Sequence, residues 1–259
     1  MKKIIFLTTL ILISTVAQAQ YIYIDSDKQL EWYRDEQKII AVGNAIATKE
    51  KNVLKGDKIT AFYEKVQLED GSKKTQIQKI YSDGNVSLQM NKALGTGSFF
   101  EYNLPTQTAT LKGKPAKIKN QTGELTATGS IIYYGAENKS IALGNVIAKN
   151  EDYTIFADKM ISFFDVDKQG KRTLNRVEIF ANTDSIKLVN QQSVVTGQRG
   201  TYFPIENKLK IFDNVVINQN DNILKGDYAE TDLTTGISRL LASQNQGRVS
   251  GIFHNKKKD

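Results

Sequence analysis

Leu54-Lys55-Gly56-Asp57-Lys58-Ile59-Thr60-Ala61-Phe62-Tyr63 sets a Gly-Asp pair inside a run of strand-forming residues. Glycine tolerates positive φ and aspartate hydrogen-bonds nearby backbone, so the pair predicts a turn between two strands. The same four letters return near the other end, in Leu224-Lys225-Gly226-Asp227-Tyr228. Both copies follow a polar turn and lead into β-prone residues. That recurrence suggests a repeated β architecture.

The surrounding chain keeps the same rhythm. Tyr21-Ile22-Tyr23-Ile24, Gln29–Tyr33 and Lys38–Val42 read as strands, with Asp25-Ser26-Asp27 and Arg34-Asp35-Glu36 between them. Gly43-Asn44 breaks the third run and Ala45–Thr48 resumes it. Gly84-Asn85 and Gly144-Asn145 repeat that pair, with weaker echoes at Gly113-Lys114, Asn182-Thr183 and Asp213-Asn214. A longer period of about 100 residues overlies this one. It pairs Trp32 with Tyr133, Gly43 with Gly144, Phe62-Tyr63 with Phe163-Phe164, Tyr102 with Tyr202, Pro105 with Pro204 and Gly129 with Gly226. No stretch sustains helical spacing, and no flexible linker interrupts Ile118–Leu125. The reading is all-β and internally duplicated, with tandem units over about 20–122 and 123–250 in one continuous stack.

Met1-Lys2-Lys3, the apolar run Ile4–Ile13 and the Ala17-Gln18-Ala19 end together predict a signal peptide over 1–19, cleaved near Ala19. The run falls short of the roughly 20 residues a membrane span needs. The absence of cysteine rules out disulfides, thiolate metal sites and a lipid-modified N-terminus. The formal charge of +7 includes Lys256-Lys257-Lys258 in a basic tail over 251–259. For an exported chain, such charge fits an anionic glycolipid or membrane surface better than nucleic acid.

Catalytic chemistry finds little footing. The one histidine, His254, lies in the basic tail, and there is no nucleophile elbow, phosphate loop or zinc motif. Asp25, Asp27, Asp57, Asp83, Asp213 and Asp227 all occupy turn contexts. Asp165 and Asp167 beside Lys168-Gln169-Gly170 give only an incomplete calcium-loop spacing, which a solvated hairpin explains. The expectation is a non-enzymatic protein without cofactor or metal. Alternation in Tyr21-Ile22-Tyr23-Ile24 puts aliphatic side chains on one face and aromatic ones on the other. An aliphatic face of that kind either fills a core or lines a groove for an apolar ligand.

At this point several residues in order resemble the periplasmic lipopolysaccharide-transport family LptA, also called OstA-like. They are Ile22-Tyr23-Ile24-Asp25-Ser26-Asp27, Leu30, Gly43-Asn44, Lys55-Gly56-Asp57-Lys58-Ile59-Thr60, Phe100-Glu101-Tyr102-Asn103-Leu104, Leu111-Lys112-Gly113, Leu224–Asp227 and Gly247-Arg248-Val249. The resemblance covers nearly the whole mature chain, which is longer than the usual member by about one repeat unit. It implies an elongated, twisted, open β-jellyroll that holds lipopolysaccharide acyl chains and bridges the periplasm. It also implies an LptC-like inner-membrane partner and an LptD-like outer-membrane partner, both by β-strand addition, and leaves end-to-end self-association open. Its interior positions fall on Ile22, Ile24, Leu88, Tyr102 and Leu104, with Leu188 and Tyr202 as counterparts by internal symmetry. The alternatives are a membrane-anchored LptC-like scaffold and a secreted β-solenoid adhesin or glycan-binding module.

Overall fold

A computed structural model describes residues 22–67, 71–182, 184–242 and 248–253. The expected signal peptide, His254 and Lys256–Lys258 lie outside them. Twenty strands make up the described chain. The first ten are β1 (Tyr23–Asp25), β2 (Gln29–Tyr33), β3 (Lys38–Lys49), β4 (Asn52–Gln67), β5 (Lys73–Met90), β6 (Ala93–Asn103), β7 (Thr108–Lys112), β8 (Ala116–Lys119), β9 (Glu124–Ala127) and β10 (Ser130–Tyr134). The second ten are β11 (Lys139–Lys149), β12 (Thr154–Val166), β13 (Arg172–Phe180), β14 (Ile186–Val189), β15 (Ser193–Gly197), β16 (Arg199–Phe203), β17 (Lys208–Gln219), β18 (Asn222–Asp232), β19 (Ser238–Leu241) and β20 (Ser250–Ile252).

Their pairing builds two layers from one set of strands. The first layer runs β2-β3-β4-β5-β6-β7-β10-β11-β12-β13-β16-β17-β18-β19, antiparallel at every step. The second runs β1-β3-β4-β5-β6-β8-β9-β11-β12-β14-β15-β17-β18-β20. The long strands β3, β4, β5, β6, β11, β12, β17 and β18 serve both layers, one half each. The result is an all-β open jellyroll. The second ladder runs through residues 115–130 by way of β8 and β9, and the first continues past them by the direct pairing of β7 with β10.

Most crossings between the layers sit at β-bulges, and here the structure corrects a detail of the sequence reading. Gly43-Asn44 does not end a strand. It lies within β3, where the register shifts between Val42 and Ala45. Gly43 and Asn44 have φ of 87° and 44°, and Gly84-Asn85 and Gly144-Asn145 repeat the pattern. Two successive left-handed residues favour glycine followed by asparagine. A bulge adds residues to one strand and sharpens its twist, which swings the chain from one layer into the other.

Gly56-Asp57 and Gly226-Asp227 are likewise not turns. They lie within β4 and β18, opposite the bulges at residues 43–44 and 213–214. A side chain on Gly56 would meet Ser82 Oγ at 2.1 Å. Asp57 instead reaches the next strand and accepts from Asn85 Nδ2 at 2.9 Å. Asp27 accepts likewise from Asn44 Nδ2 at 2.7 Å. Asp158, in Ala157-Asp158-Lys159, sits opposite the bulge at residues 144–145 and accepts from the Asn182 backbone N–H at 2.6 Å. Its Ala-Asp spelling hides a third copy of the Gly-Asp device.

Away from the bulges the two layers end in separate rows of turns, with no strand crossing between them among the described residues. First-layer turns close at Gln37, Gln107, Asn138 and Asn207, all with φ near 50°. Second-layer turns lie at residues 50–51, 91–92, 120–123, 150–153, 190–193 and 220–221. The gap between the rows is the seam of the jellyroll. Outward faces carry half-buried aromatic rings flanked by cations: Phe62, Tyr81 and Phe99 stack at 5.9 and 6.1 Å, with Lys79 Nζ 4.6 Å from the Tyr81 ring.

Candidate functional site: an apolar interior between two rungs

Residues directly opposite one another on neighbouring strands share a face, so register defines what lines the interior. In the second layer one rung reads Ile24, Ala47, Leu54, Leu88, Gly95, Ile118, Leu125, Ala148, Ile155, Leu188, Val195, Ile217, Leu224 and Gly251. Every member is apolar. The facing rung of the first layer reads Trp32, Ile39, Ala61, Ile80, Tyr102, Ala109, Tyr133, Ser140, Ser162, Val177, Tyr202, Leu209, Thr231 and Ser238. Half of these carry a hydroxyl.

The positions singled out from the sequence fall on these two lines. Ile24, Leu88 and Leu188 share the apolar rung, and Tyr102 and Tyr202 share the hydroxyl-bearing one. Leu104 and Ile22 lie beyond them toward the seam. Ile22, Leu88, Tyr102 and Leu104 meet around a cavity of about 140 Å³, together with Ala47, Leu54, Ile77, Ile80, Met90 and Phe100. Thr48, Lys49 and Asn52 form its polar margin at the seam. Ile24 packs beside this cavity against the core. Leu188 and Tyr202 do not reach it: they are packed into the other half of the interior.

Burial governs the phenols here. The Tyr102 pKa is pushed up to about 12, chiefly by desolvation, with the nearby Tyr133 phenol adding to the rise and Arg172 opposing it. Burial raises Tyr133 as well, again against Arg172, and burial alone raises Tyr202. All three are neutral donors at ordinary pH. Tyr202 donates to Asn207 Oδ1 at 3.2 Å, and Asn207 Nδ2 donates on to Thr234 Oγ1 at 2.9 Å. Across the seam, the Tyr153 hydroxyl reaches the Leu233 carbonyl at 3.5 Å.

Sequence reasoning missed Tyr133 as an interior residue, although its pairing with Trp32 in the long repeat marked the position. It also missed Tyr153, which no motif signals. Among the described residues no group of His, Cys, Asp or Glu is placed to hold a metal ion. The Asp167 carboxylate accepts from the backbone N–H groups of Gln169 and Lys171 at 3.0 and 2.8 Å, closing a hairpin.

A family model for LptA/(LptD N-terminal domain) LPS transport proteins matches residues 23–139 and again residues 133–237. The chain belongs to this family. As a family member it is a lipopolysaccharide-transport protein. Among solved structures it is similar to LptH, the LptA-homologous periplasmic component of the lipopolysaccharide transport device from Pseudomonas aeruginosa. That match has 12% identity and a TM-score of 0.23, and it covers 91% of this chain and 96% of that one. No curated protein sequence matches the chain.

Proposed function

We propose that this LptA/LptD-type chain is a non-enzymatic periplasmic carrier that holds lipopolysaccharide acyl chains between its two layers and bridges the inner and outer membranes. The observation that carries the reading is the wholly apolar rung from Ile24 to Gly251, widening at one end into the cavity at Leu88, Tyr102 and Leu104. Each methylene taken from water into such an interior contributes about 0.8 kcal/mol. Partial enclosure of several acyl chains therefore binds firmly without any catalytic group.

The ladder ends supply the bridging surfaces. Among the described residues β1 and β2 pair only with β3, and β19 and β20 pair only with β18. Their free edges are flanked by exposed Tyr23, Leu30 and Trp32 at one end and by Leu241, Ile252 and Phe253 at the other. Edges of this kind accept a further strand. The occupants in this reading are an LptC-like inner-membrane protein, an LptD-like outer-membrane protein and further copies of the chain. The double match to the family model supports tandem units, and cleavage near Ala19 releases the carrier into the periplasm.

A photoreactive phenylalanine analogue placed at Leu88 or Leu104 in cells tests the lipid path. Both positions are expected to yield lipopolysaccharide adducts, and exposed Tyr23 is not. Ile24→Asp and Tyr102→Asp are expected to suppress those adducts. Failure of both Leu88 and Leu104 to crosslink would overturn the assignment.

A further inference from the structure

Tyr133 is 3% exposed, and its hydroxyl has no hydrogen-bond partner among the described residues. Buried hydroxyls are nearly always paired, so an orphan calls for a physical reason. Comparison along the first-layer turns supplies one. Tyr202 precedes its turn residue Asn207 and donates to it. Tyr133 stands in the same relation to Asn138, which closes the corresponding turn with φ of 48°. The Asn138 side-chain oxygen Oδ1 instead accepts from Arg172 Nε at 3.3 Å. At this turn the donor to the asparagine oxygen is thus the Arg172 guanidinium, where at Asn207 it is the tyrosine hydroxyl, and Arg172 lies 5.8 Å from the centre of the Tyr133 ring.

Tyr133, on β10, sits two strands beyond the cavity wall at β6, with β7 between them. On its rung the neighbours are Ala109 and then Tyr102, which lines that cavity. The residue between the two phenols on the rung, Ala109, is small and buried. Beside an apolar pocket stand an unpaired donor, a second phenol and a guanidinium. A group that pairs the Tyr133 donor and suits its neighbours has an electron-rich oxygen and a hydrocarbon tail.

The geometry points to a binding site, formed by Tyr133, Tyr102 and Arg172, for the carbonyl or carboxylate oxygen at the head of an acyl chain whose tail lies in the adjoining cavity. The Tyr133 hydroxyl donates to that oxygen, and Arg172 favours a full or partial negative charge on it. The site rests on the reading of the interior as a lipid path and fixes where along that path an acyl head comes to rest. A free fatty acid and an acylated glycolipid share the required chemistry.

Titrations of the purified full chain test the site with three probes: palmitate, hexa-acylated lipid A, and the fluorophore N-phenylnaphthylamine, which is apolar and has no acyl oxygen. Wild type is expected to bind all three. Tyr133→Phe is expected to weaken the acyl ligands about fivefold, the effect of one lost hydrogen bond, and to leave the fluorophore unchanged. Its thermal midpoint stays at or above that of wild type, because only an unmatched hydroxyl is removed. A loss confined to palmitate assigns the site to a free carboxylate, and one confined to lipid A assigns it to an ester or amide. Unchanged binding of both acyl ligands, with the fluorophore still bound, overturns the site and leaves the lipid path standing. Wild type that takes up none of the three overturns both.

Discussion

Asn52 and Tyr153 occupy matching places at the seam, each two residues before a member of the apolar rung, Leu54 and Ile155. Asn52 belongs to the margin of the cavity. Tyr153 packs against the core and reaches across to Leu233. The same contrast extends inward: Tyr102 lines the cavity, whereas Tyr202 is 1% exposed and tied to Asn207. Backbone register is alike in the two halves, so side-chain size and pairing decide which half stands open. An antiparallel ladder thus leaves access to its interior adjustable one residue at a time.

The largest expected difference between the halves is in stability. Leu174, buried in the second half, leaves a cavity when cut to alanine, at a cost of roughly 2–5 kcal/mol. Leu104→Ala, at a position already lining open space, is expected to cost about 1 kcal/mol or less by the same reasoning. Urea denaturation of both variants checks this, and equal losses would break the contrast between the packed site at Leu174 and the open one at Leu104.

Next in size comes the turn hydrogen bond. Asn207→Ala removes the bond from the buried Tyr202 hydroxyl and the bond to Thr234, an expected loss of about 1–3 kcal/mol. Tyr133→Phe, which removes a hydroxyl without a partner, is expected to stay within about 0.5 kcal/mol of wild type. A Tyr133→Phe loss as large as that of Asn207→Ala would show that the phenol is paired in solution.

Exchanging the seam residues has a smaller effect on stability and a clear one on access. Tyr153→Asn is expected to cost about 1 kcal/mol, for one hydrogen bond and some packing, and to raise uptake of N-phenylnaphthylamine. Asn52→Tyr is expected to lower that uptake. Unaltered uptake in both variants would mean that the seam residues do not control entry.

The smallest effect is confined to alkaline solution. Burial pushes the Tyr102 pKa up to about 12, against 10.0 for an exposed phenol. From pH 10 upward the unfolded chain releases a proton that the folded chain retains. The contribution is therefore complete below pH 10 and is lost as pH rises through 12. Tyr202 acts in the same direction. Urea midpoints from pH 8 to 11 should fall above pH 10 in wild type and fall less steeply in Tyr102→Phe. An identical slope in that variant would show that Tyr102 is not buried in solution.

Much of the framework is legible in the residues. The Gly-Asn pairs stand out because two consecutive left-handed residues admit few side chains, and Ile24, Leu88 and Leu188 fall on one face through strand alternation. Whether a Gly-Asn or Gly-Asp pair ends a strand or bends it is not a local property. Gly56-Asp57 stays inside β4 because β3 and β5 both continue past it and supply hydrogen bonds on either side. The third copy escapes notice at Ala157 because an alanine fits where Gly56 has no room.

Composition and periodicity by themselves determined an all-β chain with an alternating apolar face, punctuated by glycine, asparagine and aspartate, and without the nucleophile-elbow, phosphate-loop or zinc motifs. Those properties follow from φ restrictions and side-chain alternation, which act within a few residues. The tertiary structure decided the two rungs and the seam, closed at Tyr153 and open at Asn52, and it left the Tyr133 hydroxyl unpaired beside Arg172. Each depends on groups far apart in the chain: Arg172 donates to the Asn138 side chain, and Tyr153 reaches Leu233. Hydrogen bonds and packing between distant residues exist only once the ladder has brought them together.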